Sequence, residues 1–355
     1  MRKLPILFAA FAMVACFTMT AAAAEWNFYG SARVATFWID QDDLPKLTAG
    51  GDDNDFDLQW AVQGNSRIGA KVKVSDTLSG HFEYGSAGVN LRLLYGTWNF
   101  GAGTLTAGQF YSPLNFFISH QVFGGDRSLF NIGGLFSGRN QGLMLGLMGG
   151  ALKIAMITPK TKGIAGLADD IDTTFPRLEV KYHLALGKAF FDFAGGYCTY
   201  DIETAVDDVS IDAYAVGIAG GVDLGKFYIK GNAWFGQNVG TYGLWHTTSD
   251  DPIAVIAPGN IDIVDNDSYG LILVVGARIN EMIAIESGIG YTESELDASG
   301  IQEDDQLAYY VQATITLAPG VFIVPEVGVI DMAENMAGND EQKTLYYGLK
   351  WQINF

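Results

Sequence analysis

Apolar and polar residues alternate along most of this chain with a period of two. The clearest run closes it: Leu345, Tyr347, Leu349, Trp351, Ile353 and Phe355 interleave with Tyr346, Gly348, Lys350, Gln352 and Asn354. Successive side chains of a β-strand point to opposite faces, so this run predicts a strand with one apolar and one polar face. The same rhythm sets Phe56, Leu58, Trp60 and Val62 against Asp57, Gln59, Ala61 and Gln63, and Leu178, Val180, Tyr182 and Leu184 against Arg177, Glu179, Lys181 and His183. Sixteen alternating segments follow one another: 26–39, 56–75, 79–87, 90–100, 103–110, 139–148, 150–158, 176–185, 188–200, 210–222, 226–238, 267–278, 282–292, 305–317, 321–331 and 343–355. The second is long, and its first half reads as part of an extended loop.

The connections alternate as well. Residues 76–78, 101–102, 149, 186–187, 223–225, 279–281 and 318–320 are short turns. Between them lie 40–55, a tight turn at Gly88, 111–138, 159–175, 201–209, 239–266, 293–304 and 332–342. Short turns on one side and mostly longer loops on the other require an even number of up-and-down strands, with both termini on the short-turn side. Bacterial outer-membrane barrels have that form. An apolar strand face rich in aromatics needs a cover, and lipid supplies one. A closed barrel also pairs every backbone donor and acceptor in a medium that cannot do so. The expected fold is therefore all-β, a transmembrane antiparallel β-barrel of sixteen strands. That number leaves a lumen too wide for side chains alone to fill, so water should occupy it. A soluble β-sandwich also alternates, but the loop asymmetry, the chain's first residues and the terminal Phe355 speak against it.

Those first residues read as a secretory signal peptide, residues 1–24. Arg2 and Lys3 precede a mostly apolar stretch, and Ala21 to Ala24 offer a small-residue cleavage site before Glu25. Met13-Val14-Ala15-Cys16 loosely matches a lipoprotein cleavage box, but the alanine site is better placed. Cleavage leaves residues 25–355 as one barrel domain with Cys198 as its single cysteine, so no intrachain disulfide is expected. Nowhere in 25–355 is there an apolar run of the roughly 20 residues a transmembrane helix needs. The 49% hydrophobic content and 44 glycines are instead spread over short alternating runs. The net charge of −19 argues against a nucleic-acid partner, which requires basic patches. Trp26, Phe28, Phe37, Trp38, Trp98, Phe100, Tyr347 and Trp351 lie near strand ends and suit interfacial aromatic girdles.

Two stretches resemble the Gram-negative general porins. Asn65-Ser66-Arg67-Ile68-Gly69-Ala70-Lys71-Val72, followed by Ser75-Asp76-Thr77-Leu78-Ser79-Gly80, is similar to the family's second strand and first periplasmic turn. Leu91-Arg92-Leu93-Leu94-Tyr95-Gly96-Thr97, then Gly101 to Gln109, then Pro113, resembles the hairpin leading into the family's third loop, and Phe123-Gly124-Gly125-Asp126 resembles part of that loop. The resemblance covers about the first third of the chain. It implies a homotrimeric diffusion channel for small hydrophilic solutes and ions, in the outer membrane beside lipopolysaccharide, whose third loop folds inward and narrows the pore. Two departures stand out. Gln121-Val122 occupies a place where the family often carries an acid, and the second loop, which can latch a neighbouring subunit, is nearly absent.

A pore selects by diameter and by the charges lining it. By alternation Arg33, Arg67, Lys71, Lys73, Arg92 and Arg139 share the polar face of strands one, two, four and six. They form a basic wall opposite a third loop that carries Asp126, with Arg127 and His120 as its basic partners; Asp57 and Glu83 are possible neutralising acids. The third loop is also apolar, with Phe116, Phe117, Ile118, Val122, Phe123, Leu129, Phe130 and Ile132, so it should pack against the inner wall rather than stand in water. The other loops are acidic: Asp40, Asp42, Asp43, Asp52, Asp53 and Asp55 in the first, Asp250, Asp251, Asp262 and Asp265 in the sixth, Glu293, Glu295, Asp297, Glu303 and Asp304 in the seventh. They read as a solvated rim, bridged by divalent cations to lipopolysaccharide or concentrating cations at the mouth. Asp53-Asn54-Asp55-Phe56-Asp57 lacks the Gly and the final Glu of an EF-hand calcium loop, so no metal site is assigned. His81, His120, His183 and His246 fall in no nucleophile or metal-ligand spacing, and no cofactor is expected. A general diffusion pore is the leading reading, a substrate-specific channel the alternative within transport, and an outer-membrane hydrolase the alternative outside it.

Overall fold

The computed structural model describes residues 24–41, 56–88, 90–167, 170–204, 208–258, 260–298 and 300–355. The leader up to residue 23, and Asp42, Asp43, Asp52, Asp53 and Asp55 of the first loop, lie outside the described residues. Sixteen strands build the barrel: β1 Glu25–Gln41, β2 in two pieces (Asp57–Val62 and Arg67–Lys73), β3 Leu78–Gly85, β4 Asn90–Asn99, β5 Gly103–Tyr111, β6 Arg139–Leu147, β7 Leu152–Ile157, β8 Arg177–Leu186, β9 Ala189–Glu203, β10 Val209–Asp223, β11 Phe227–Gln237, β12 Asn266–Arg278, β13 Ile283–Leu296, β14 Asp304–Ala318, β15 Val321–Asp331 and β16 Lys343–Asn354. Every neighbouring pair is antiparallel. β1 closes the ring on β16, with Val34 opposite Trp351 and Ser31 opposite Asn354. Gly30 and Phe355 exchange backbone hydrogen bonds at the seam.

All sixteen alternating segments are strands, and the apolar faces point outward. On β16, Leu345, Tyr347, Trp351 and Ile353 are exposed while Thr344, Tyr346 and Lys350 are buried. On β12, Tyr269, Leu271, Leu273 and Val275 are exposed while Ile272 and Val274 are not. Two expectations change. Both halves of the long second segment pair with β1, Val34–Ile39 with the first piece and Glu25–Ser31 with the second. The first half is therefore barrel wall, and the strand is interrupted rather than preceded by a loop. Phe37 leaves the girdle as well: it sits at an inward position and is buried edge-on against the stacked rings of Phe123 and Tyr346.

The third loop, residues 112–138, enters the lumen as its apolar content predicts. Leu114, Phe116, Ile118, Leu129, Ile132 and Leu135 pack on a patch of inner wall made of Ala194, Ala213, Ala215, Ala219, Trp234 and Ala308. Alanines on β9 and β10 are short enough to admit a second layer of chain. Burying each of the large side chains contributes roughly 1.5–3 kcal/mol. The sixth loop, between β11 and β12, enters too. Its Val239, Tyr242 and Leu244 belong to the same buried cluster, Trp245 packs edge-on against Phe136 at 5.0 Å, and His246 stacks on Trp234 at 4.4 Å. The lumen is therefore not simply water-filled: two loops occupy the side walled by β8 to β16. The acidic rim loses two members in the process: Asp250 is buried, and so is Asp304, which accepts from the sixth loop's Ser249 N–H at 2.7 Å.

Candidate functional site at the lumen constriction

The break in β2 creates the site. Between its two pieces the ladder opens opposite Arg33: Gln63 N–H donates to the Arg33 carbonyl at 2.9 Å, and Arg33 N–H donates to Ser66 Oγ at 3.0 Å. The released turn projects Asn65 into the lumen, where Nδ2 donates to the Gly125 carbonyl at 3.0 Å and to Asp126 Oδ2 at 2.6 Å. Gly124, Gly125 and Asp126 have φ of 63°, 72° and 65°. Three successive left-handed residues need glycine or a short polar side chain, which accounts for the sequence Gly-Gly-Asp. The turn aims the Asp126 carboxylate at Arg33 of β1, with which it is ion-paired, and at Lys350 Nζ of β16, 3.1 Å away.

Across from this turn Glu83 organises the arginines. Arg92 Nε donates to Glu83 Oε1 at 2.5 Å, Arg67 Nη1 stands 3.5 Å from the same oxygen, and the Tyr29 hydroxyl donates to Oε2 at 2.7 Å. Arg92 also donates to the Tyr111 hydroxyl at 3.2 Å. Arg139 lies over the Tyr111 ring at 5.9 Å, and Arg127 lies over Trp245 at 5.5 Å. A cavity of about 400 Å³ remains between wall and loop. Arg67, Arg92, Arg127, Arg139, Asp126 and Asn65 line it, together with rings of the third and sixth loops.

Four residues of the expected basic wall thus converge: Arg67, Arg92 and Arg139 on the cavity, and Arg33 behind Asp126. Lys71 and Lys73 do not join them. They line a separate space of about 670 Å³ at the short-turn end, with Glu25, Asn27 and Thr77, and Lys73 pairs with Asp76 of the turn at 2.9 Å. The alternation that put them on the same face carries no information about height along the strand. The expected partners of Asp126 change for a related reason. His120 lies elsewhere, donating its backbone N–H to Glu286 Oε1 at 2.8 Å and contacting Oε2 through Nδ1 at 2.6 Å. Arg127, next to Asp126 in sequence, turns to Trp245 instead. Lys350 was legible as a polar-phase residue of β16, but its partner was not. Trp245 carries no sequence signal of its inward position.

Three buried carboxylates fasten the third loop by its backbone. Glu179 accepts from Leu114 N–H at 2.9 Å, Glu286 from His120 N–H, and Glu326 from Val122 and Phe123 N–H at 2.7 and 3.1 Å. Tyrosine hydroxyls hold the same groups: Tyr242 on Glu179, Tyr228 and Tyr310 on Glu286, Tyr346 on Glu326. Each carboxylate serves loop donors that have no strand ladder to join. In the sixth loop burial, with Asp251 beside it, pushes Asp250 up to about 7, while burial pushes His246 down to about 4.

No protein-family model and no curated protein sequence matches the chain. Solved structures do. The chain is similar to the outer membrane channel DcaP of Acinetobacter baumannii, at 16% identity and a TM-score of 0.71 over 96% of this chain and 99% of that one. It is similar to an anion-selective porin from Comamonas acidovorans, at 10% identity and 0.60 over 94% and 100%. It is also similar to the outer-membrane expressed OmpT of Vibrio cholerae, at 13% identity and 0.59 over 94% and 99%. At these identities the likeness is one of fold: the chain has the fold of outer-membrane porins.

Proposed function

We propose that the protein is an outer-membrane porin that passes small hydrophilic solutes and ions by passive diffusion. The single observation that supports it best is the closed barrel whose two inward loops leave one charged constriction against the β1–β6 wall. A barrel built as an inert anchor has no use for it. Residues 1–24 act as the export signal and 25–355 as the channel. Arg67, Arg92, Arg139, Arg127 and Asp126 line the narrow region, Arg33 positions Asp126, and Lys71 and Lys73 charge the exit at the short-turn end. His120 serves the loop's anchorage rather than the pore. The protein works as a homotrimer among lipopolysaccharide, and its reading as a channel rather than a hydrolase rests on the constriction's basic and aromatic lining.

Liposome swelling with neutral sugars of graded size tests this. A smooth decline of rate with size is the expected result. Failure of the smallest sugar to enter at all, or hydrolysis of the vesicle phospholipid, would contradict the proposal.

A further inference from the structure

The constriction carries a second chemistry besides charge. Tyr111, Phe117, Phe130, Phe136 and Trp245 line the same cavity as the arginines. Phe130 and Phe136 stack with centroids 4.7 Å apart and planes 9° from parallel. Phe117 stands edge-on to Phe130, Phe136 and Tyr111 at 5.9, 5.6 and 5.2 Å. It is nevertheless 56% exposed. An exposed phenyl ring forgoes the stabilisation that burial brings and offers a face on which a planar ligand can stack.

The arginines are not equivalent. Arg67 and Arg92 share Glu83. Arg127 donates Nε to the Gly124 carbonyl at 3.4 Å and covers Trp245. Arg139 has no carboxylate, and its Nη1 is buried without a hydrogen-bond partner among the described residues. Arg139 also lines the cavity, and an incoming acid group there would supply the carboxylate that it lacks. Tyr111 touches both Phe117 and Arg139, so the exposed ring and the unpaired arginine share one neighbour. The cavity's size falls in the range of small-ligand sites.

We infer that this cavity is a binding subsite for aromatic anions: a single ring, stacked on Phe117, carrying a carboxylate or sulfonate group held by Arg139. Arg139, without a carboxylate partner among the described residues, sets the need for an acid group, and the rings set the body. The inference rests on the channel reading above and adds saturable recognition to it.

The test is ion current through the purified full-length protein in a planar bilayer, with benzenesulfonate and methanesulfonate as probes. Both are permanently ionised, so neither crosses lipid as a neutral acid. Benzenesulfonate is expected to block the chloride current saturably, with methanesulfonate producing no saturable block. Phe117→Ala should weaken the benzenesulfonate block about threefold to tenfold, the range of an aromatic pair. Arg139→Gln should weaken it roughly tenfold or more, as loss of a charge-assisted hydrogen bond does. Heat-modifiable electrophoretic mobility confirms that each variant folds, and Phe130→Ala offers a second ring variant if Phe117→Ala does not. Equal behaviour of the two sulfonates, in a protein that still admits arabinose to liposomes, overturns the subsite and leaves the channel. Undiminished block in both the ring variants and Arg139→Gln overturns it as well. Exclusion of arabinose takes down channel and subsite together.

Discussion

Asp126 shows how one residue sets the character of the narrow region. Its carboxylate pairs with both Arg33 and Lys350, whose side chains are only 12% and 8% exposed, and one positive charge of the three groups is left over. Glu83 does the same for Arg67 and Arg92. Arg127 and Arg139 are left without a carboxylate partner among the described residues, so the balance is basic. Replacing Asp126 by Asn should leave two poorly solvated cations unpaired. Breaking such a pair costs toward the low end of roughly 3–5 kcal/mol, and reversal potentials should shift toward anions. The converse change, Arg67→Gln with Arg92→Gln, should shift them toward cations. A reversal potential unmoved by that double substitution would place the selective region elsewhere.

At the scale of elements, the third loop is held by three carboxylates acting on backbone donors. Glu326 accepts from two successive N–H groups. Glu326→Gln keeps the shape but offers one carbonyl oxygen where two carboxylate oxygens stood, a loss of roughly 1.5–3 kcal/mol for a charged hydrogen bond. Excess current noise from a looser loop is the expected readout; a record as quiet as the wild type's would assign the anchorage to apolar packing. The sixth loop should respond to pH through two opposed groups. Asp250, raised to about 7, stays protonated when docked and ionises when released, so docking weakens as pH climbs from the ordinary carboxylate range to about 7. His246, lowered to about 4, is neutral when docked and protonated when released, so docking strengthens as pH climbs from about 4 through the ordinary imidazole range. Asp250→Asn removes the first effect, and loop cleavage by added protease should then fall steadily from pH 4.5 to pH 7.

The elements also show what the sequence discloses. Strand positions and faces were legible because lipid and lumen impose opposite polarity on alternate residues; Tyr346 and Tyr347 illustrate it, one buried inside and the next exposed outside. The inward course of the third loop was legible from its apolar residues. The break in β2 was not, since alternation runs on through Gly64 and Asn65 without a change of phase that pattern alone resolves. The sixth loop's entry was hidden by its aspartates, which read as rim. Lys71 and Lys73 were misplaced because side-chain phase repeats every two residues while the pore narrows only once.

For the whole molecule, two fields oppose one another. Asp297 and Glu303 are exposed on the seventh loop and Glu295 at the end of β13, and the chain carries a net charge of −19, whereas the constriction is basic. Exposed charges are screened beyond about 8–10 Å at physiological salt. The rim should therefore dominate only at low ionic strength, giving a weak cation preference that moves to neutrality or anion preference as salt rises. Reversal potentials across a fixed gradient at two mean concentrations check the direction of that change.

The central claim is that an aqueous path runs through the barrel and is narrowed by the third loop. Single-channel conductance of the wild type and of a variant lacking residues 116–130 tests it most directly. Discrete steps from the wild type, and distinctly larger steps from the deletion, are the expected result. Absence of steps from the folded wild type, or an unchanged step size in a folded deletion variant, would contradict the account.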